Sequence, residues 1–259
     1  MWIDRIFKFR EKPGTDTIKP FMEHMEDLRW MLVRMAGILG AGMILSFAFR
    51  HRLVDIIQHP LHQIDPHAQL KTLGVTDSLT ISLQVAFYGG IVISFPLLLY
   101  FLAQFVLPAL MRQEKKYVLP AIGIGFGLFL TGVTFSYFLI LPKTLGWFWL
   151  DTKSFQWEAG WTATQYFSFV TQMTLVFGLA FELPVAVLAL VHLGFLSFEF
   201  LHRTRAYAIV LILIIAMVLA PTPDVLTFLS LGMPMILLYE ACIWLAWLME
   251  RRRKIPSDS

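Results

Sequence analysis

Six apolar runs separated by blocks of charge constrain this 259-residue chain more than any other feature. They cover residues 30–49, 79–105, 117–141, 167–195, 206–220 and 226–249. Of the 21 Lys and Arg and 18 Asp and Glu, only Arg34, Glu182 and Glu240 fall inside them. Crossing about 30 Å of hydrocarbon takes roughly 20 helical residues, and a backbone in lipid must satisfy its own polar groups. Continuous apolar runs of this length therefore read as membrane-spanning helices, whereas a β-barrel would show short segments of alternating polarity. The expected fold is an all-α integral membrane protein with six transmembrane helices. Run 206–220 is short, rising only about 22 Å, so it must thin the local bilayer or lie behind other helices.

The Lys and Arg outside the runs set the orientation. Fifteen lie in segments 1–29, 108–116, 196–205 and 250–259, which alternation puts on one side, and five (Arg50, Arg52, Lys71, Lys143 and Lys153) lie on the other. Both termini are thus expected in the cytoplasm, with a cytoplasmic segment 1–29, a six-helix domain 30–249 and a cytoplasmic tail 250–259. Segment 1–29 does not read as a cleavable signal, because Asp4, Arg5 and Lys8 break its only apolar stretch. The 23 Phe and 8 Trp exclude a disordered chain, and the single Cys excludes a disulfide scaffold.

Polar residues at the edges of the runs and inside them are the candidate functional groups. The stretch FMEHMEDLR (21–29) leads into the first run. On a helix Glu23, Asp27 and Arg34 share one stripe, while Glu26 and Arg29 pair on the next. Such a stripe is either a solvated amphipathic entry or a docking place for a cation, since like charges four apart repel until a partner neutralises them. Glu114, beside Lys115 and Lys116, faces the same compartment as Asp27 and taken alone is a surface charge.

A carboxylate at the depth of Glu182 costs about 2.5–3.5 kcal/mol to insert and is expected to face the bundle interior or a water-filled cavity. It reads either as a neutral hydrogen-bonder to a hydroxyl such as Thr131 or Thr134, or as a contact for a partner protein. Glu240 poses the same alternatives, and Arg34 can snorkel to the nearer face. Gly123, Gly125, Gly127 and Gly132 include a GxxxG spacing, a sign of close helix packing. His51, His59, His62 and His67 gather in one connection without an HExxH or a Cys pair, so no metal is expected. No P-loop or G-x-S-x-G elbow occurs; neither cofactor, nucleic-acid partner nor enzymatic activity is expected.

Taken in order, HMEDLR (24–29), Pro60 with Leu61, Phe95 with Pro96, FVLPALMRQE (105–114), FGLAFELP (177–184) and PTPD (221–224) resemble the TatC family, the multispanning receptor subunit of the twin-arginine protein translocase. The resemblance runs from about residue 21 to about 249. It implies a concave bundle in the cell (inner or plasma) membrane that recognises twin-arginine signal peptides at its cytoplasmic face. With TatA- and TatB-type single-span proteins and further copies of itself, such a receptor supports export of folded proteins driven by the proton-motive force.

Carried over by position, Asp27 and Glu114 would meet the signal's arginines, with Arg29 and Phe105 in the same motifs. Two guanidinium forks call for such carboxylates. The family's usual Glu is Asp27 here and its usual Leu is Met25; Glu26 points about 100° away on a helix, so either acid could make the contact. Glu182 matches an acidic position facing the cavity where partner helices dock, and Pro60, Pro184 and Asp224 are structural members of their motifs. On the residues alone, a secondary transporter of a small solute is the alternative, suggested by Glu182 and the proline-broken runs. A membrane-embedded hydrolase comes third, without a supporting motif.

Overall fold

The structure, a computed structural model, describes residues 21–106, 118–157 and 160–253. The 1–20 tail and the Glu114–Lys115–Lys116 cluster lie outside the described residues. Among the described residues ten α-helices follow in order: α1 (Phe21–Ala48), α2 (Arg50–Ile64), α3 (Asp77–Val106), α4 (Val118–Phe135), α5 (Leu141–Ser154), α6 (Ala163–Ala180), α7 (Leu183–His192), α8 (Phe198–Arg203), α9 (Arg205–Leu219) and α10 (Val225–Arg253). Five stretches are long and apolar enough to cross a membrane, namely Met25–Ala48, Asp77–Phe105, Val118–Ser154, Ala163–His192 and Val225–Arg251. The remaining apolar helix, α9, has 15 residues.

The helical stretches extend beyond the apolar runs. Run 117–141 reads as ending at Pro142, yet the chain stays helical to Ser154 through a π-helical turn, Ser136–Ile140. The wider turn shifts the hydrogen-bond register, and Pro142 falls in the first turn of α5, where a missing N–H costs least. Run 167–195 is broken at Phe181–Glu182, and Pro184 opens the shorter second helix, α7, by the same logic. The connection after the first run contains a helix of its own, α2, in which Pro60 and Leu61 are buried.

At one end of the bundle, the cap end, two connections are stitched together. The Tyr137 and Tyr166 hydroxyls donate to the Ile56 and Ile57 carbonyls at 2.6 and 2.8 Å, fastening α2. Lys71 pairs with the strand-like entry to α6, its N–H reaching Trp161 O and its carbonyl accepting from Ala163 N–H, both at 2.9 Å. At the opposite, tail end, Glu250 accepts the Phe198 N–H at 2.7 Å, Tyr239 donates to Leu201 O, and Arg205 forms an ion pair with Glu240. The core between them centres on fully buried Phe129, Phe167, Phe177 and Met173.

Helices approach most closely at glycines. The α1–α3 pair is the most extensive; a Cβ on Gly90 would stand 2.8 Å from Met43 N. On α4 the GxxxG reading needs correcting: Gly123 and Gly127 face open space, whereas Gly132 lies against α6, with a Cβ there 2.5 Å from Phe177 O. Thr131 and Thr134 are likewise not partners of Glu182, since their hydroxyls donate to Gly127 O and Leu130 O of their own helix.

Two predictions come from this packing. Gly132→Ala should lower stability by about 1–3 kcal/mol, because backbone must move to admit the methyl, while Gly123→Ala leaves the melting temperature in detergent unchanged or slightly raised. The second concerns Asp224, which caps α10: Oδ1 accepts the Thr227 N–H at 2.8 Å and Oδ2 the Thr222 hydroxyl at 2.6 Å. Burial alone would raise its pKa, but the bonds from Thr222 and Thr227 outweigh it and hold the carboxyl below the ordinary Asp range. Asp224→Ala should cost about 1 kcal/mol at neutral pH. The carboxylate's contribution is full above the unfolded pKa of about 4 and is lost as pH falls through the lower folded value, so melting curves of wild type and Asp224→Asn should converge in acid.

Candidate functional site

Two regions hold the residues that the sequence singles out. The first is the tail end of the α1–α3 pair. Asp27, Met31, Met35, Ile38 and Gly42 are spaced four, four, three and four apart, so they form one helical stripe. That stripe packs on α3: Met31 is buried, Ser94 Oγ donates to Ile38 O at 3.2 Å, and Gly42 meets Gly90. Asp27 lies toward its tail end.

The antiparallel register fixes what lies beside it. Moving 15 residues from Gly42 along α1 reaches Asp27, and 15 residues from Gly90 along α3 reaches Phe105. An acid and an aromatic ring therefore stand at one height, the acid exposed and the ring partly covered. Glu26 and Arg29 are also exposed but turn off this stripe, Glu26 toward the side of Trp30, which is 53% exposed. Between the two acids, Asp27 is the one on the α3 side.

The second region surrounds Glu182. The break between α6 and α7 brings its carboxyl against α4 at Gly125, where a Cβ would stand 3.0 Å from Oε2 and 3.1 Å from Leu99 Cδ1. Gly125 thus leaves room for a side chain that would otherwise clash, a role for this glycine that the GxxxG spacing did not single out. Oε1 is buried and has no hydrogen-bond partner among the described residues. Glu240 is different: Arg205 Nε lies 2.5 Å from its Oε1. One intramembrane acid is paired within the chain and the other is left unpaired.

The structure does not join these regions into one pocket. A cavity of about 270 Å³ lies at the cap end between α5, the start of α6 and the 220–224 link, lined by Phe148, Trp161, Tyr166 and Thr222 among others. It contains none of Asp27, Phe105 or Glu182. Among the described residues no three His, Cys, Asp or Glu side chains gather as metal ligands. Asp27 thus stands exposed at the tail end, and Glu182 Oε1 is buried beside Gly125.

Comparison with known proteins matches the same chain order. A family model described as Sec-independent protein translocase protein (TatC) matches residues 23–234. A Sec-independent protein translocase protein TatC from Akkermansia muciniphila is 47% identical over 68% of this chain, which spans about half (51%) of that relative. The one from Desulforapulum autotrophicum is 34% identical over 86% of this chain and 83% of its own length. A crystal structure of the twin arginine translocase receptor TatC superposes with a TM-score of 0.78 at 31% identity, covering 87% of this chain and 98% of that one.

An unpaired acid at this depth makes a testable prediction. Since no described residue hydrogen-bonds Glu182 Oε1 to offset its insertion cost, Glu182→Gln should leave stability in detergent unchanged or raise it by up to about 3 kcal/mol, read as a higher melting temperature. A structural hydrogen-bonder would instead lose stability on this change, and an accompanying loss of protein export would mark the acid as functional.

Proposed function

Because the chain belongs to the TatC family of Sec-independent protein translocase proteins, we propose that the tail end of its α1–α3 pair receives the twin-arginine signal peptide. The protein is an integral membrane component of the translocase. The observation that carries the reading is the register that sets Asp27 level with Phe105. Asp27 and Glu114 accept the two guanidinium groups through charge-assisted bonds, Phe105 supplies an apolar wall, and Arg29 flanks the site within the same motif. Asp27 is preferred over Glu26 because it belongs to the stripe that faces α3.

Orientation follows from the Lys and Arg bias, which supports the tail end as the cytoplasmic face of the cell membrane with both termini inside. All six apolar helices then cross the bilayer, α9 with a shortened path. Glu182, unpaired at the helix break beside Gly125, is the docking point for the polar residue of a single-span TatA- or TatB-type partner. Further copies of the chain complete the receptor, and the proton-motive force drives transport. A small-solute transporter has less support, since the cavity the fold forms lies away from Glu182 and the family is a protein translocase.

The test is photocrosslinking from position 27 or 114 to a precursor bearing Arg-Arg, against the same precursor with Lys-Lys, which keeps the charge and loses the fork. Asp27→Ala and Glu114→Ala should each weaken capture about tenfold, as expected for one charge-assisted bond, and Glu26→Ala much less. Undiminished capture by the Asp27 and Glu114 double variant would sink the assignment.

A further inference from the structure

Trp244, Trp247, Leu248 and Arg251 follow at i, i+3, i+4 and i+7 along the last third of α10 and so share one stripe. Trp244 is 70% exposed, Trp247 and Leu248 about two fifths, and Arg251 is exposed as well. The indoles meet edge to face with centroids 6.5 Å apart, and the Arg251 guanidinium lies 5.2 Å over the Trp247 ring. Among the described residues, no helix covers the stripe on that side.

Depth can be counted from the other end of the helix. Gln172 Nε2 reaches Leu219 O at 3.2 Å, which puts the hairpin between α9 and α10 level with Gln172 on α6. From Val225, about 20 residues of helix bridge the hydrocarbon and end at Leu245. The same count from Gln172 ends at His192, the last residue of α7. The two indoles therefore straddle the boundary between hydrocarbon and headgroups, where amphipathic rings are favoured. Arg251 lies just beyond, and the sequence continues with Arg252, Arg253 and Lys254.

The nearby acid does not neutralise this stripe. Glu250 sits about a third of a turn round the helix, and its carboxylate is engaged by the Phe198 N–H. What remains is a guanidinium over one indole, with a second indole and a leucine running from it into the hydrocarbon. A guanidinium fork suits a phosphate, while Trp244 and Leu248 suit the chains attached to it. Free phosphate would use only the first half of the stripe, and a zwitterionic headgroup would bring its own cation against Arg251.

We infer that this stripe on α10 is a docking site for the headgroup of an anionic phospholipid in the leaflet at the tail end of the bundle. The inference stands apart from the signal-peptide reading, because none of its residues takes part in that site. Lipid held there would also brace the α8 elbow, since Glu250 connects α10 to Phe198.

Native mass spectrometry of the full chain, titrated in detergent with phosphatidylglycerol or with phosphatidylcholine of the same acyl chains, tests it. Wild type should retain phosphatidylglycerol preferentially. Arg251→Gln should weaken that retention about fivefold, the worth of one basic residue at an anionic surface, and Trp247→Leu should do so comparably, with phosphatidylcholine retention unchanged. Both side chains are exposed, so both variants should melt with wild type in the absence of added lipid; if Trp247→Leu melts early, Arg251→Gln decides alone. Equal retention of the two lipids by wild type, wild-type selectivity in Arg251→Gln, or displacement of the lipid by inorganic phosphate would each overturn the site.

Discussion

The close approach of α1 and α3 at Gly42 and Gly90 sets the geometry of everything at their two ends. Between helices in lipid the hydrophobic effect supplies little, so association depends on van der Waals packing and interhelical hydrogen bonds where small residues let backbones come together. A side chain at Gly90 would collide with the Met43 backbone, and Ser94 donates across to Ile38 O only because the helices are this near. Such a contact admits one register. Carried toward the tail end it sets Asp27 beside the height of Phe105; carried toward the cap end it brings Ser46 to Gly89, just before the chain turns into α2.

Two acids inside the apolar stretches meet the same solvation problem in opposite ways. Glu240 stands on an unbroken helix and is matched by Arg205, the first residue of α9. A pair of this kind costs less than either charge alone, and with Arg205 half exposed it ties the first turn of α9 to α10. Glu182 stands where the helix itself breaks, between α6 and α7, and Gly125 opposite makes space for its carboxyl without offering a donor. Break, glycine and unpaired oxygen coincide at one point on α4, and none of the three stabilises the bundle on its own.

The class of fold was legible in the sequence because lipid imposes a coarse rule: charges must leave the spans. That rule finds apolar runs and says little about where helices stop once they leave the hydrocarbon. It therefore missed α5 beyond Pro142, where a π turn absorbs the proline, and α2 within a connection of mixed polarity. The same limit applies to packing. Spacing on α4 pointed to Gly123 and Gly127, but a GxxxG pattern does not say which face meets a neighbour, and Gly125 with Gly132 faces α6 and α7. Thr131 and Thr134 looked like partners for Glu182 from composition, yet a hydroxyl in a helix finds the carbonyl four residues back before it finds another helix. At the candidate site the acids were legible as charges out of place; the preference for Asp27 over Glu26 was not, because it depends on the register of α1 against α3.

The short α9 is the one apolar helix whose length disagrees with the bilayer. Its 15 residues rise about 22 Å, and the pair between Arg205 and Glu240 shows where it ends: 15 residues along α10 from Val225, with 13 more of α10 still to come. Tilting α9 would only reduce this rise further. The missing depth is instead occupied by α8 and the turns around it, where Phe195 is 72% exposed and Phe200 53%. Apolar rings on an elbow that also carries Glu199, His202 and Arg203 belong at an interface, with rings toward the chains and charges toward water.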